Sequence, residues 1–160
     1  MKTQEEFKIG KNNISYIGSN FKEWFGDMEF KETKPTFTIT KLERDMVDKD
    51  IFSEIKPNEC ELGDVLYAIQ NNIIDKKLYG GIFYIKDNAG VLRAVYVRWD
   101  GVGWNVHTFS VENPVYWHDG LPVFSRNSGT LIPSPSDSLT LSSLETRIKN
   151  LEDKFNNIFK

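Results

Sequence analysis

Histidine, cysteine and closely paired acids carry most enzyme chemistry, and this chain offers few of them in useful positions. Its two histidines, His107 and His118, stand eleven residues apart with no cysteine or carboxylate at metal-ligand spacing. His107 falls in mid-strand and reads as a surface or half-buried strand residue. The single cysteine, Cys60, excludes an internal disulfide and a cysteine-based metal cluster, and with no base near it in sequence it reads as a buried, inert thiol. Gly101-Val102-Gly103 joins two strands rather than a strand and a helix, so phosphate-binding geometry is absent there. Gly80-Gly81 opens a strand and has the same weakness. Ser19 and Ser125-Arg126 lie in no nucleophile elbow, and the acids are spread as on a solvated surface. The expectation is no catalytic residue, no metal and no cofactor, and a chain that is not an enzyme.

Aromatic residues offer a different chemistry. Trp99, Trp104, Tyr116 and Trp117 surround the Asp100 to Gly103 turn and the Asn113 loop, near Asn105, His118 and Asp119. Large rings beside polar groups are how sugars and protein partners are often held, which makes these four a possible ligand-binding set. The plainer reading is that large aromatics at strand ends close off a small core.

These residues sit in the most strand-rich part of the chain. Gly81 to Lys86, Val91 to Trp99 and Trp104 to Val111 read as three strands. Asp87-Asn88-Ala89-Gly90 and Asp100-Gly101-Val102-Gly103 join them as tight turns, which implies an antiparallel meander. In the second strand Val91, Val95, Val97 and Trp99 share one face while Leu92, Ala94 and Tyr96 share the other, as in a central strand covered in part on both sides. Thr36-Phe37-Thr38-Ile39-Thr40 alternates as a half-buried strand. Leu121 to Ser125 reads as a last, edge-like strand, because Pro122 cannot donate to a ladder.

Helices are expected at Asn20 to Phe25, capped by Ser19 or Asn20 and stopped by Gly26, and at a turn through Ile51, Phe52 and Ile55, capped by Asp48 and ended by Pro57. Leu62 to Ile74 is the clearest internal helix, with Val65, Leu66, Ile69 and Ile73 on one side and Asp64 in its first turn. Ile9 and Ile14 to Ile17 flank Gly10-Lys11-Asn12-Asn13, which fits a turn between two short strands.

The C-terminal stretch is different in kind. Leu141, Leu144, Ile148, Leu151, Phe155 and Ile158 are spaced three, four, three, four and three residues apart. That is the a/d spacing of a heptad repeat, and it sets all six on one narrow stripe of a helix. A helix that docks on its own domain usually carries a wider apolar face, so the narrow stripe favours self-association. Arg147 falls at g and Glu152 at the following e, an arrangement that favours parallel, in-register pairing. Arg147-Ile148-Lys149-Asn150-Leu151-Glu152 resembles the short trimerisation motif of parallel coiled coils: Arg, apolar, two of any residue, apolar, Glu. The resemblance covers six residues and implies an arginine stem lying over the seam with its head on the glutamate of the next helix.

Composition bounds the rest. The net charge of −3 without a basic block argues against nucleic acid as a partner. The charged N-terminus is followed by no apolar run, and no stretch reaches the length of a membrane span. A soluble protein made in a cytoplasm is expected.

The expected plan is α+β. It has an antiparallel β-meander head with two or three short helices over residues 1–126, a Pro/Ser linker over 127–138, and a coiled-coil helix over 139–160. The expected role is a structural or binding protein, homotrimeric through its tail. Its partner would be itself, together with other proteins of a virus particle or a surface glycan. Three heads on a short coiled coil resemble fibre and decoration proteins of virus particles, phage above all. The alternative is a small carbohydrate-binding domain or enzyme whose tail helix docks on its own head.

Overall fold

A computed structural model of the chain describes residues 1–78, 80–112 and 115–132. The heptad stretch, and with it Leu141, Leu144, Arg147, Ile148, Leu151, Glu152, Phe155 and Ile158, lies outside the described residues, as do 133–138 of the expected linker.

Six strands form one sheet: β1 (Ile14–Ile17), β2 (Phe37–Lys41), β3 (Gly81–Lys86), β4 (Leu92–Trp99), β5 (Trp104–Ser110) and β6 (Pro122–Arg126). Four short helices accompany them among the described residues: α1 (Thr3–Glu6), α2 (Ser19–Phe25), α3 (Asp48–Glu54) and α4 (Leu62–Gln70).

The expected antiparallel meander head is not the architecture. The sheet is mixed, in the order β1-β5-β4-β3-β6-β2, with β1 parallel to β5 and β3 parallel to β6. The meander supplies only the three central strands, β3 to β5. The reason lies in the connections. Short Asp/Gly turns reveal which neighbours are antiparallel, but parallel neighbours are joined by long segments that leave no local signature. β5 and β6 both run parallel to β3 in direction, so they cannot be joined by a tight turn.

β6 also stands inside the sheet, between β3 and β2, and not at its edge. Pro122 is its first residue, opposite Lys41, which is the one strand position where a missing N–H costs no interior bond.

Both turns of the meander are built as their residues require. Asp100 Oδ1 accepts the Val102 and Gly103 N–H groups, each at 2.8 Å, and Gly101 takes φ +94°. Asp87 Oδ1 accepts from Ala89 and Val91 at 2.8 and 3.0 Å.

The sheet separates two cores. On its first face Phe83, Ile85, Val95, Val97, Trp104, Val106 and Phe124 meet Phe7, α2 through Phe21 and Phe25, and α4 through Leu62, Val65, Leu66 and Ile69. On its second face Ile82, Tyr84, Ala94 and Val123 meet Ile51 and Phe52 of α3, with Leu42, Met46, Trp117, Leu121 and Ile132. β4 thus feeds both cores by strict alternation, and each fully buried side chain of this size contributes about 1.5–3 kcal/mol.

The starts of α2 and α3 differ from expectation. α2 begins after Gly18 and α3 after Val47, with no side-chain cap at either. Asp48 is drawn instead into the second core. α4 begins at Leu62 as expected, after Glu61, which forms a capping box with Asp64.

Residues 127–132 lie against the body. The Glu59 N–H donates to the Thr130 carbonyl at 2.7 Å, the Ile132 N–H donates to the Pro57 carbonyl at 3.2 Å, and Ile132 is buried in the second core. No helix among the described residues is long and apolar enough to cross a membrane.

Candidate functional site

The four aromatics singled out from sequence do not form one cluster. Trp104 is buried on the first face and meets Trp99 edge-on, with ring centroids 5.2 Å apart. The Lys76 ammonium stands 4.0 Å from the Trp99 ring centre, a cation–π contact. Trp117 is buried in the second core, where its indole N–H donates to Asp48 Oδ1 at 2.8 Å. Tyr116 is 71% exposed. The sheet therefore stands between Trp99 and Trp104 on one side and Trp117 on the other, because Trp99 and Trp104 share the strand parity of Val95 and Val106.

The second face carries an aromatic surface of its own. Along β5, alternation turns His107 and Phe109 toward this face, and the register pairs Tyr96 of β4 with His107. Tyr16 of β1 adds a third strand. Its ring is 5.2 Å from His107, which lies 6.4 Å from Tyr96 and 6.3 Å from Phe109. Tyr96 and Phe109 reach Trp117 at 5.4 and 5.5 Å. Tyr16 is 47% exposed, and His107, Tyr96 and Phe109 are half-buried. Burial, and then the nearby Arg98 charge, hold the His107 imidazole below its ordinary pKa, so it is neutral at physiological pH and presents a ring, not a charge.

Phe109 also lines a shallow cleft of about 420 Å³, shared with Asn20, Trp24, Arg93, Ser110 and Val115. Its charged element is Arg93. The Asp87 turn places a carboxylate oxygen 2.9 Å from the Arg93 Nε–H, and the guanidinium carbon lies 3.6 Å from the Trp24 ring centre. Burial alone would raise the Asp87 carboxyl, but Arg93 and the Val91 and Ala89 amides outweigh it and hold it below its usual range. The Asn20 side-chain amide donates to the Thr108 carbonyl at 3.4 Å, along the part of β5 that extends past the end of β1.

Sequence reasoning passed over Arg93 and Trp24. A signal was present: Arg93 has the strand parity of Val95 and Val97, so a charge points to an otherwise apolar face, six residues after an Asp that begins a turn.

Two further polar groups are deeply buried. Asp48 Oδ1 accepts the Tyr84 hydroxyl at 2.6 Å as well as the Trp117 indole, while Oδ2 has no hydrogen-bond partner among the described residues. Burial raises its pKa, only partly opposed by those two bonds. Asp64 accepts from the Thr33 hydroxyl at 2.6 Å and stands 3.6 Å from Arg126 Nε. The Cys60 thiol is pushed up to about 12, by burial first and then by the Asp64 charge.

Among the described residues no three of His, Cys, Asp and Glu come together in a way that would hold a metal ion. Both histidines lie on the surface or at its margin, His118 exposed and His107 within the aromatic face. No protein-family model, curated protein or solved structure matches this chain.

Proposed function

We propose that the chain is a non-enzymatic binding protein, held as a parallel homotrimer by residues 139–160, with each head presenting its aromatic face and the adjoining cleft to a partner. The observation that carries this is the unbroken a/d spacing from Leu141 to Ile158, reinforced by Arg147 and Glu152 at facing g and e positions. Sister stripes would cover a stripe that narrow, whereas a helix docked on its own domain usually carries a wider apolar face. The half-open aromatic face supports the binding half of the reading. Rings on rigid strands bury large contact area at little entropic cost. Three heads on one stalk would turn a weak contact into a strong one by avidity. On this reading the chain serves as a fibre or decoration component of a virus particle.

Sedimentation mass tests the assembly. The intact chain should run at three times its 18.5 kDa mass, and a version ending at Ser136 should run as a monomer. Two monomers would end the trimer reading and leave a small carbohydrate-binding domain with its tail docked on its own head.

A further inference from the structure

From the geometry of Arg93 we infer that the cleft formed by Asn20, Trp24, Arg93, Phe109, Ser110 and Val115 receives a sugar acid, its carboxylate on the guanidinium. The inference deepens the reading of the head as a binding module and rests on it.

Arg93 is held in advance. Asp87 fixes its Nε at 2.9 Å and Trp24 supports one face at 3.6 Å, so the side chain has little freedom left to lose when a ligand arrives. Its two terminal nitrogens make no hydrogen bond with any described residue. Two parallel N–H donors at the end of a fixed guanidinium match the two oxygens of a carboxylate.

Charge selects among anions. Asp87 has already offset much of the local positive potential, and no second cation is found among the described residues that line the cleft. That balance penalises a phosphate dianion more than a monoanion, which is held by the directional hydrogen bonds of the two terminal nitrogens. The rest of the lining suits a sugar ring. The Asn20 carboxamide uses its N–H on Thr108, which leaves its oxygen to accept from a hydroxyl. The Ser110 oxygen accepts the Glu112 N–H at 3.3 Å, which leaves its hydroxyl hydrogen to donate. Phe109 and Val115 offer apolar surface to the C–H face of a ring. The cleft's volume of about 420 Å³ lies within the range for small ligands. A peptide C-terminus shares the carboxylate but brings a side chain and a backbone amide in place of a ring of hydroxyls.

The test uses the full chain with glucuronate, N-acetylneuraminate, glucose, acetate and a short peptide with a free C-terminus. Binding is read by tryptophan fluorescence and by NMR of the Asn20 side-chain amide and Arg93 Nε. One or both sugar acids should saturate and move both resonances, while glucose and acetate should each bind at least about tenfold more weakly. Arg93→Lys should weaken the sugar acid by about tenfold or more. Because Arg93 also ties down the Asp87 turn, Asn20→Ala and Ser110→Ala provide variants that leave that pair intact. They should weaken the sugar acid and leave acetate unchanged. Failure of both acids to bind, acetate binding as tightly as the acids, or tighter binding of the peptide would each overturn the proposal. The sedimentation mass of the same samples reports the assembly separately, so loss of the ligand claim and loss of the trimer are distinguishable.

Discussion

Removing the Asp48 carboxyl should be among the more damaging single changes in the head, and the size of the effect follows from its two partners. Tyr84 donates to it at 2.6 Å and Trp117 at 2.8 Å, both from inside the second core. Asp48→Ala leaves two buried donors without an acceptor. At about 1–3 kcal/mol for each, the loss is about 2–6 kcal/mol, a large share of the stability of a domain this size. Asp48→Asn keeps the accepting oxygen and both bonds but cannot ionise. Burial holds the folded-state pKa of Asp48 above that of the unfolded chain. As pH rises the unfolded chain therefore releases its proton first. Stability from this group is whole below the unfolded value of about 3.9 and is lost as pH climbs through the folded one. Carboxyls held low in the fold, such as Asp87, act in the opposite sense, so the informative quantity is wild type minus Asp48→Asn. Urea unfolding followed by tryptophan fluorescence between pH 3 and pH 8, roughly the span over which carboxylates titrate, measures it. That difference should fall with pH by no more than about 1.36 kcal/mol per unit and then level off. An Asp48→Ala protein within about 1 kcal/mol of wild type, below the cost of even one orphaned donor, would refute the account. So would an Asn variant whose pH dependence follows that of wild type.

Two further outcomes are expected alongside the sedimentation and sugar-acid measurements. The Cys60 thiol, pushed up to about 12 and 2% exposed, should resist alkylation at mildly alkaline pH in the folded protein and react promptly once urea unfolds it. Ile132→Ala should cost about 2–5 kcal/mol in the same urea assay, because Ile132 is 4% exposed in the second core. A neutral result would mean that residues 127–132 are an appendage after all.

Where the structure matched its sequence, the information was local. Asp-Asn-Ala-Gly and Asp-Gly-Val-Gly set the two turns of β3 to β5, and alternation along β4 marked a strand with a core on each side. The Val65, Leu66 and Ile69 spacing placed α4, although Gln70 ends it sooner than expected. What stayed hidden depends on partners distant in sequence. Nothing near Ile14 shows that β1 lies parallel to β5, and nothing near Val123 shows that β6 is flanked by β2 and β3. Pro122 suggested an edge because its single missing donor says nothing of the strand's other residues. Asp48 read as a helix cap because capping is the commoner use of an Asp before an apolar turn, and its core partners lie 36 and 69 residues away. The tryptophans looked like one cluster because nearness in sequence hides which side of the sheet each residue faces. Arg93 had a signal, a charge at an inward strand position, but its meaning required Trp24 from a separate helix.

The anchoring of residues 127–132 has a mechanical consequence. A pull applied to the chain beyond Ile132 reaches the head through the Ile132–Pro57 and Thr130–Glu59 hydrogen bonds, and then through the turn that leads into β6. Asn127 adds three hydrogen bonds to Thr36 and Thr38, and the Ile132 side chain is buried in the second core, so these contacts must open before the load reaches β6. Behind them β6 is gripped by a neighbour on either side, and the same tension would have to drag an interior strand out of the sheet. The head thus meets such a load in two stages in series, the contacts of residues 127–132 first and the interior strand second.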